Sequence, residues 1–480
     1  MKKFICLILV LLMVLPLLVA CKKEPGPSTS SQEMDSAEEE WLAPVEDLGG
    51  REFKILSIED DYGMSLIDCE EATTPLEESV YFRNRELENR LNILITNTEI
   101  SNLSQEIAQE VRTQHYANQV ARDVYVGNGA STIKLTTEGC FAEVSTLGNA
   151  IDLNQSWWNA TAVEDLSIGG KIYPLVGKAI FHFYESTNIM AYNVDYANNL
   201  GMPNLAEKAL EGNWTWEDVH TYSVAARQDL NNDSAKDAGD NFGFAVGHNL
   251  IEVALVSSWD DVLVYDEDNY PSFSGFSEKT LDIYDDIVDW FYKSDDTFLA
   301  PRDNTLLSGS SYSNFHDVFM GGDTLFYMEP VGSLEKLRDV DFEFTVLPTP
   351  KYEVNDEYRT NMVRYSCLAF VPALATEKEQ IGVFLENLMY SASLKTFPQY
   401  VENIVNLQRV RNELSYRVLT EIVWKADAVI SMLHLYDFGG MSTSMVEYAK
   451  EGKSINVLGV SLSRNMNYLI AEAIGEKTND

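Results

Sequence analysis

The 480-residue chain is poor in the features that announce common chemistries. Its six histidines (115, 182, 220, 248, 316 and 434) show no HExxH spacing and no grouping with cysteine, which leaves a zinc enzyme without support. A GxSxG nucleophile turn and a GxxxxGK[ST] phosphate loop are both missing, so the chain does not hydrolyse nucleotide to drive its own work. Positive charge is scarce, with 35 Lys and Arg against 75 Asp and Glu, which argues against nucleic acid and against anionic ligands in bulk. Five cysteines are too few and too scattered for a disulfide framework. Cys69, Cys140 and Cys367 read as buried thiols. Long apolar runs occur once, at the very start.

That run has a defined shape. Met1-Lys2-Lys3 is a short positive end, and Phe4 to Ala20 is apolar with only Pro16 interrupting. This is the layout of a secretory signal, and the run is shorter than the roughly 20 residues of a comfortable membrane span. It closes in Leu18-Val19-Ala20-Cys21, which resembles the lipobox of bacterial lipoproteins. The resemblance implies removal of residues 1–20, lipid on Cys21, and a protein held on the outer face of the cell membrane. A single acyl chain anchors only marginally, so two or three are expected. Loss of Lys2 and Lys3 takes the formal charge from −40 to −42. Lys22 to Pro44 is rich in Ser, Glu, Pro and Lys and reads as a tether.

Beyond the tether, strand and helix signals alternate. Phe53 to Ile58 reads as a strand. Thr74-Pro75-Leu76-Glu77 is a capping box with proline at the first helical position, followed by Leu76, Val80, Leu87 and Leu91 at helical spacing. Asn92 to Ile95 and Asp123 to Val126 read as strands around a helix at Ser104 to Val111. Glu278 to Tyr292 and Ile381 to Met389 read as helices, Thr324 to Met328 as a strand, and the texture after Leu414 as mostly helical. Alternation of this kind predicts an α/β fold with parallel layering.

Several stretches, in order, resemble the extracellular solute-binding proteins of ATP-driven importers, the family whose best-known members bind maltose and other sugars. They are Gly170-Lys171-Ile172-Tyr173-Pro174, Asn188 to Asp195, Gly212-Asn213-Trp214-Thr215-Trp216-Glu217, and Asp339 to Lys351 with its Leu347-Pro348-Thr349-Pro350-Lys351 turn. Val80 to Arg85 and Trp157-Trp158 point to a sugar-binding-like subgroup of Gram-positive bacteria. Val194 departs from the family pattern at a structural position. The resemblance covers nearly the whole mature chain and implies two α/β lobes joined by a hinge, each a parallel-type sheet flanked by helices. It places lobe 1 at residues 46–190 and 366–405 and lobe 2 at 191–365 and 406–480. It also implies a monomer that captures a small solute, expected to be an oligosaccharide, and delivers it to separate permease and ATPase subunits.

Sugar recognition needs aromatic faces for the apolar side of a pyranose and planar polar groups for its hydroxyls. Trp157 and Trp158, together with Trp259 and Asp260, are the first candidates. Tyr184 and Glu185 beside the first lobe crossing, Tyr327 and Glu329 at a strand end, and Tyr365 at the second crossing follow. Glu70 and Glu71 are weaker candidates from the first lobe. Core packing is the commoner fate of tryptophan, and Trp214, Trp216 and Trp290 are assigned to it. No cofactor is required. The segment Asp229 to Asp240 places Asp229, Asn231, Asp233, Asp237 and Asp240 at the oxygen positions of an EF-hand-like loop, a candidate for structural calcium, although Ser234 stands where the sharp turn wants glycine. The competing readings are a surface carbohydrate-processing enzyme, which needs only two carboxylates, and the binding component of a sensor system.

Overall fold

The computed structural model describes residues 41–59, 66–100, 105–237, 239–258, 264–273, 275–308, 310–362, 366–402, 410, 412–425, 427–429, 441–459, 463, 467, 468 and 471. The described residues from Ala43 on form one compact unit, the second of two into which the chain divides. In the second unit the strands run β1 (Arg51–Ile58), β2 (Ile93–Ile100), β3 (Val124–Asn128), β4 (Asn188–Asn193), β5 (Phe242–Gly247), β6 (Val264–Tyr265) and β7 (Pro271–Ser272). They continue as β8 (Thr297–Ala300), β9 (Thr324–Pro330), β10 (Phe344–Pro348), β11 (Arg359–Asn361), β12 (Cys367–Phe370) and β13 (Asp427–Val429).

Two larger sheets carry the fold. The first has the order β12-β3-β1-β2 and the second β10-β4-β9-β5-β8. Both are mixed rather than purely parallel: β1 pairs in parallel with β2 and β3, and β5 with β8 and β9, whereas β12, β4 and β10 join antiparallel. Strands β3 and β10 are buried along their whole length, so neither shows the alternation of a half-exposed strand.

Helices cover each sheet for reasons legible in their sequences. Helix Pro75–Leu91 begins in the expected capping box, with the Thr74 hydroxyl accepting from the Glu77 N–H and the Glu77 carboxylate returning to the Thr74 N–H. It buries Leu76, Val80, Leu87 and Leu91. Helix Lys378–Leu394 starts beside Arg51, which donates to the Glu377 carbonyl and to Gln380, and then stacks Phe384 on Phe53 at 4.5 Å. It therefore runs the same way as β1, from the amino end of the strand to the carboxyl end. Under the second sheet, Trp214 and Trp216 are fully buried, the latter donating its indole N–H to Ser257 Oγ at 3.1 Å. Trp290 is only half-buried and stacks on His220 at 5.3 Å. Helix Glu278–Ile287 carries on as a π-helical turn to Tyr292.

The chain crosses between the sheets at Ser186–Asn188 and returns at Asn361–Ser366, and these crossings are bonded to each other. Thr187 bridges Met362, and the Asn188 amide donates to the Asn361 carbonyl at 3.3 Å. His182 Nδ1 accepts from the Cys367 N–H at 3.2 Å and pins the return to the first sheet. Cys140 and Cys367 are buried free thiols, whereas Cys69 is free and part-exposed, with burial and neighbouring carboxylates pushing its pKa up.

Candidate functional site

In open α/β sheets ligands bind outside the carboxyl ends of the parallel strands, where connections diverge. Here those ends are Ile58, Ile100 and Asn128 in the first sheet, and Gly247, Ala300 and Pro330 in the second. The crossings lie at the same level: β4 is antiparallel to β9 with Asn188 opposite Pro330, and Cys367 stands opposite Asn128. Asn128 is 1% exposed and its Oδ1 has no partner among the described residues.

One wall is built by the motif Arg83-Asn84. The buried Arg83 guanidinium and the Asn84 amide both donate to the Ile67 carbonyl, at 2.6 and 3.0 Å, and Asn84 also holds Asp68 at 2.7 Å. Burial lowers the Arg83 pKa to about 10, partly countered by Asp68. This anchoring sets the segment before helix Pro75–Leu91 against its first two turns. Between them is an open pocket of about 440 Å³ lined by Glu70, Thr73, Thr74, Glu78, Tyr81 and Phe82. Phe82 presents an exposed ring there, the kind of surface a sugar face covers.

The sequence candidates fall in different places. Trp157 and Trp158 are buried, and their indole N–H groups converge on the carboxylate of Glu386, at 2.9 and 2.7 Å. Burial pushes the Glu386 carboxyl up, and the two indoles oppose that shift. Trp157 also meets Tyr390 edge-on at 4.7 Å. Tyr184 and Glu185 occupy the turn before the first crossing. The Glu185 carboxylate accepts from the Tyr400 hydroxyl, and the Tyr184 ring packs on Phe397 at 4.6 Å. Tyr327 is buried in the second sheet, stacked on Phe319 at 5.0 Å and bonded to His316 Nδ1 at 2.6 Å. Glu329, two residues on, lies at the carboxyl end of β9 near the crossing. Burial pushes its pKa up to about 7, against the pull of Lys336 and of the Ser333 hydroxyl. Cys21, Trp259, Asp260 and Tyr365 lie outside the described residues.

Three further groups had no sequence signal: Lys178, Phe397 and Trp424. The Lys178 ammonium lies 4.6 Å from the Tyr184 ring centre and 4.0 Å from that of Phe397. Phe397 in turn faces Trp424 at 6.4 Å. Glu386, the partner of both tryptophans, sits more than 200 residues away from them in the chain, a separation no local pattern reveals.

Across the gap the two lobes touch directly. The turn Ser167–Gly170 leads into Leu175, which pairs with Ala369 of the first sheet. The hairpin β6–β7 lies between helices Leu250–Ser257 and Glu278–Ile287 of the second. Gly169 N–H donates to the Asn269 carbonyl at 3.0 Å, the Asn269 amide to Ser167 Oγ at 2.6 Å, and the Tyr265 hydroxyl to the Asp165 carbonyl at 3.1 Å. A Cβ on Gly169 would stand 2.5 Å from the Tyr270 ring.

The Asp229–Asp240 segment turns sharply, with Ser234 in the left-handed region at φ 61°. Asp229 accepts from the N–H groups of Asn232 and Ser234, and Asp240 is buried against Arg227 at 2.8 Å. The Asn231 amide nitrogen, not its oxygen, sits between Asp233 and Asp237, at 3.0 and 2.9 Å. Among the described residues no three Asp, Glu, His or Cys side chains gather to hold a metal.

Solved structures share this fold. The sugar-binding protein MalE from Xanthomonas citri superposes with a TM-score of 0.58 at 14% identity, over 89% of this chain and all of that one. A sugar transporter from Rhizobium etli in an open conformation gives 0.58 at 11%, over 87% and 99%. An ABC substrate-binding protein from Listeria monocytogenes in complex with cycloalternan gives 0.54 at 15%, over 89% and all of that chain. No protein-family model matches the sequence, and no curated protein does. The architecture is thus the two-lobed α/β fold that these solved structures share. Among the described residues no helix is long and apolar enough to cross a membrane.

Proposed function

We propose that this protein is the lipid-anchored, extracellular solute-binding subunit of an ABC importer, capturing a small solute, an oligosaccharide, between its lobes. The observation that carries the reading is the pair of hydrogen-bonded crossings, which lets two separately cored sheets close over one set of strand ends. Fold similarity to sugar-binding proteins supports the ligand class. Closure is a population shift, so the ligand must touch both lobes to favour the closed form. The wall at Glu70, Thr73, Tyr81 and Phe82, with Glu329 and Asn128 near the crossings, supplies the aromatic face and hydroxyl partners such a ligand needs. Cys21 is the lipidated residue, and the tether keeps the monomer at high local concentration beside its permease.

Two measurements test this. Small-angle scattering of the chain from residue 22 should show compaction with at least one member of a broad glycan panel, and no change with any member rejects the capture model. Labelled palmitate should enter the full-length protein in a bacterial host and be lost in Cys21→Ser. Equal labelling of the two rejects the anchor.

A further inference from the structure

The open pocket beside helix Pro75–Leu91 stands at the ligand end of the first sheet. Because β1 and β2 are parallel, the helix between them runs back from the carboxyl end of β1. Its last residues meet the amino end of that strand, where the Leu48 N–H donates to the Leu91 carbonyl at 2.8 Å and the Gly50 N–H to the Asn92 carbonyl at 2.7 Å. Its first two turns therefore lie at the strand ends. The pocket there, of about 440 Å³, is of the size that holds small molecules, roughly 300–1,000 Å³.

The lining is acidic and aromatic at once. Its charged side chains are Glu70 and Glu78, with no lysine or arginine among the described residues that line it. The helix carries four glutamates, and three are already engaged: Glu77 by Thr73 and Thr74, Glu86 by Arg90 and Lys395, and Glu88 by Arg85 at 2.8 Å. Glu78, the one that lines the pocket, has neither an ion pair nor a side-chain hydrogen bond among the described residues, and nor has Glu70. Beside them the Phe82 ring is 56% exposed, whereas the Tyr81 ring has Arg85 over it at 5.5 Å. An exposed phenylalanine or an unpaired glutamate is ordinary on its own; here both meet in one concavity at the strand ends.

A solute that fills the pocket takes both carboxylates out of water. An anion is repelled, and a neutral molecule leaves two desolvated negative groups without a counter-charge, whereas an ammonium supplies charge-assisted hydrogen bonds. The Phe82 ring serves both parts of an amino sugar, by cation–π attraction for the ammonium and by contact with the apolar side of the pyranose.

We propose that the captured solute is an amine-bearing carbohydrate, an oligomer of amino sugars, whose ammonium groups meet Glu70 and Glu78 while one pyranose lies on Phe82. Such an oligomer carries an amine on every unit, so the two carboxylates need not converge on a single nitrogen. The excess of 75 acidic over 35 basic residues favours the same charge, because it draws cations to the surface before any contact forms. The inference rests on the solute-capture reading.

Titration calorimetry on the chain from residue 22 tests it with three arms of equal length: the trisaccharide of glucosamine, its fully N-acetylated form, and maltotriose. The buffer is held at about pH 6, below the usual range of amine pKa values. The expected result is binding of the free-amine arm at least ten-fold tighter than either other arm and weakened by salt. The double variant Glu70→Gln, Glu78→Gln should lose about ten-fold or more of that affinity, and Phe82→Ala should weaken it too. All three side chains are exposed, so the melting temperatures should stay at the parent's. The double variant removes only two of 75 acidic residues, so attraction to the general surface charge would survive it. Undiminished affinity in that variant therefore overturns the assignment. Equal or tighter binding of the acetylated or neutral arm also overturns it and leaves solute capture standing. No binding in any arm overturns the amine class, and the scattering panel then decides whether solute capture falls with it.

Discussion

Replacing Gly169 by alanine separates strain inside a turn from contact between lobes. Gly169 has φ 59°, where an L-residue costs roughly 1–2 kcal/mol, and that cost is paid alike whether the lobes are open or closed. The second effect exists only in the closed form. The new Cβ meets Tyr270 Cε1 at 2.5 Å, so the ring or its hairpin must move away from the turn. Parting them breaks the Gly169–Asn269 and Asn269–Ser167 hydrogen bonds, each worth about 1 kcal/mol. Closure is therefore weakened by about 2 kcal/mol, roughly thirty-fold in the ratio of closed to open. Small-angle scattering of the ligand-free protein should show a larger radius of gyration for Gly169→Ala than for the parent. Adding Tyr270→Ala, which removes the clash, should restore compactness without restoring the lost stability. If Gly169→Ala melts earlier yet scatters like the parent, the strain is local and the hairpin is no latch.

Three other perturbations follow from the site. Glu329→Gln should be pH-dependent: a carboxyl raised from 4.5 to about 7 keeps its full contribution below pH 4.5 and loses it as pH climbs through 7, by at most ~3 kcal/mol. The glutamine variant should therefore melt like the parent at pH 4 and above it at pH 8, and an equal difference at both refutes the shift. Glu386→Leu leaves two buried indole N–H groups without an acceptor and should cost about 2–5 kcal/mol in chemical denaturation, less for Glu386→Gln, which keeps one acceptor oxygen. Millimolar calcium against chelator should leave the melting temperature unchanged. A site filled to 100 times its Kd would add ~2.7 kcal/mol, so a clear upward shift would show that Asn231 and Asp240 turn to face an ion.

Much of the frame was legible because its signals are local. The capping box at Thr74 and Glu77 fixes the start of helix Pro75–Leu91 to the residue, and the apolar runs at Val124 and Thr324 became strands where expected. Strand direction was less legible: β4, β10 and β12 join antiparallel, since each enters its sheet from a crossing or a long excursion rather than from a simple β-helix-β step. Aromatic type was the weakest guide. Trp157, Trp158 and Tyr327 have the chemistry of sugar platforms, yet they lie buried against Glu386, Tyr390, Phe319 and His316. A tryptophan codes equally for a core and for a cleft, and the choice is made by a partner hundreds of residues away.

Incomplete pairing is a property of the candidate site that residue type does not reveal. At the carboxyl ends and crossings, Asn128 Oδ1 lacks a partner among the described residues, and Glu329 is held largely by burial. Unmet buried groups are not confined there, since Arg83 Nη1 and the Trp214 indole N–H also lack a partner among the described residues, whereas Arg227 on Asp240 and Lys236 on Asp303 are paired. Each unmet group destabilises the ligand-free fold, and a ligand that satisfies them regains that free energy only when the lobes bring them together. A scaffold that completed every bond at its crossings would leave a solute nothing to add by closing it.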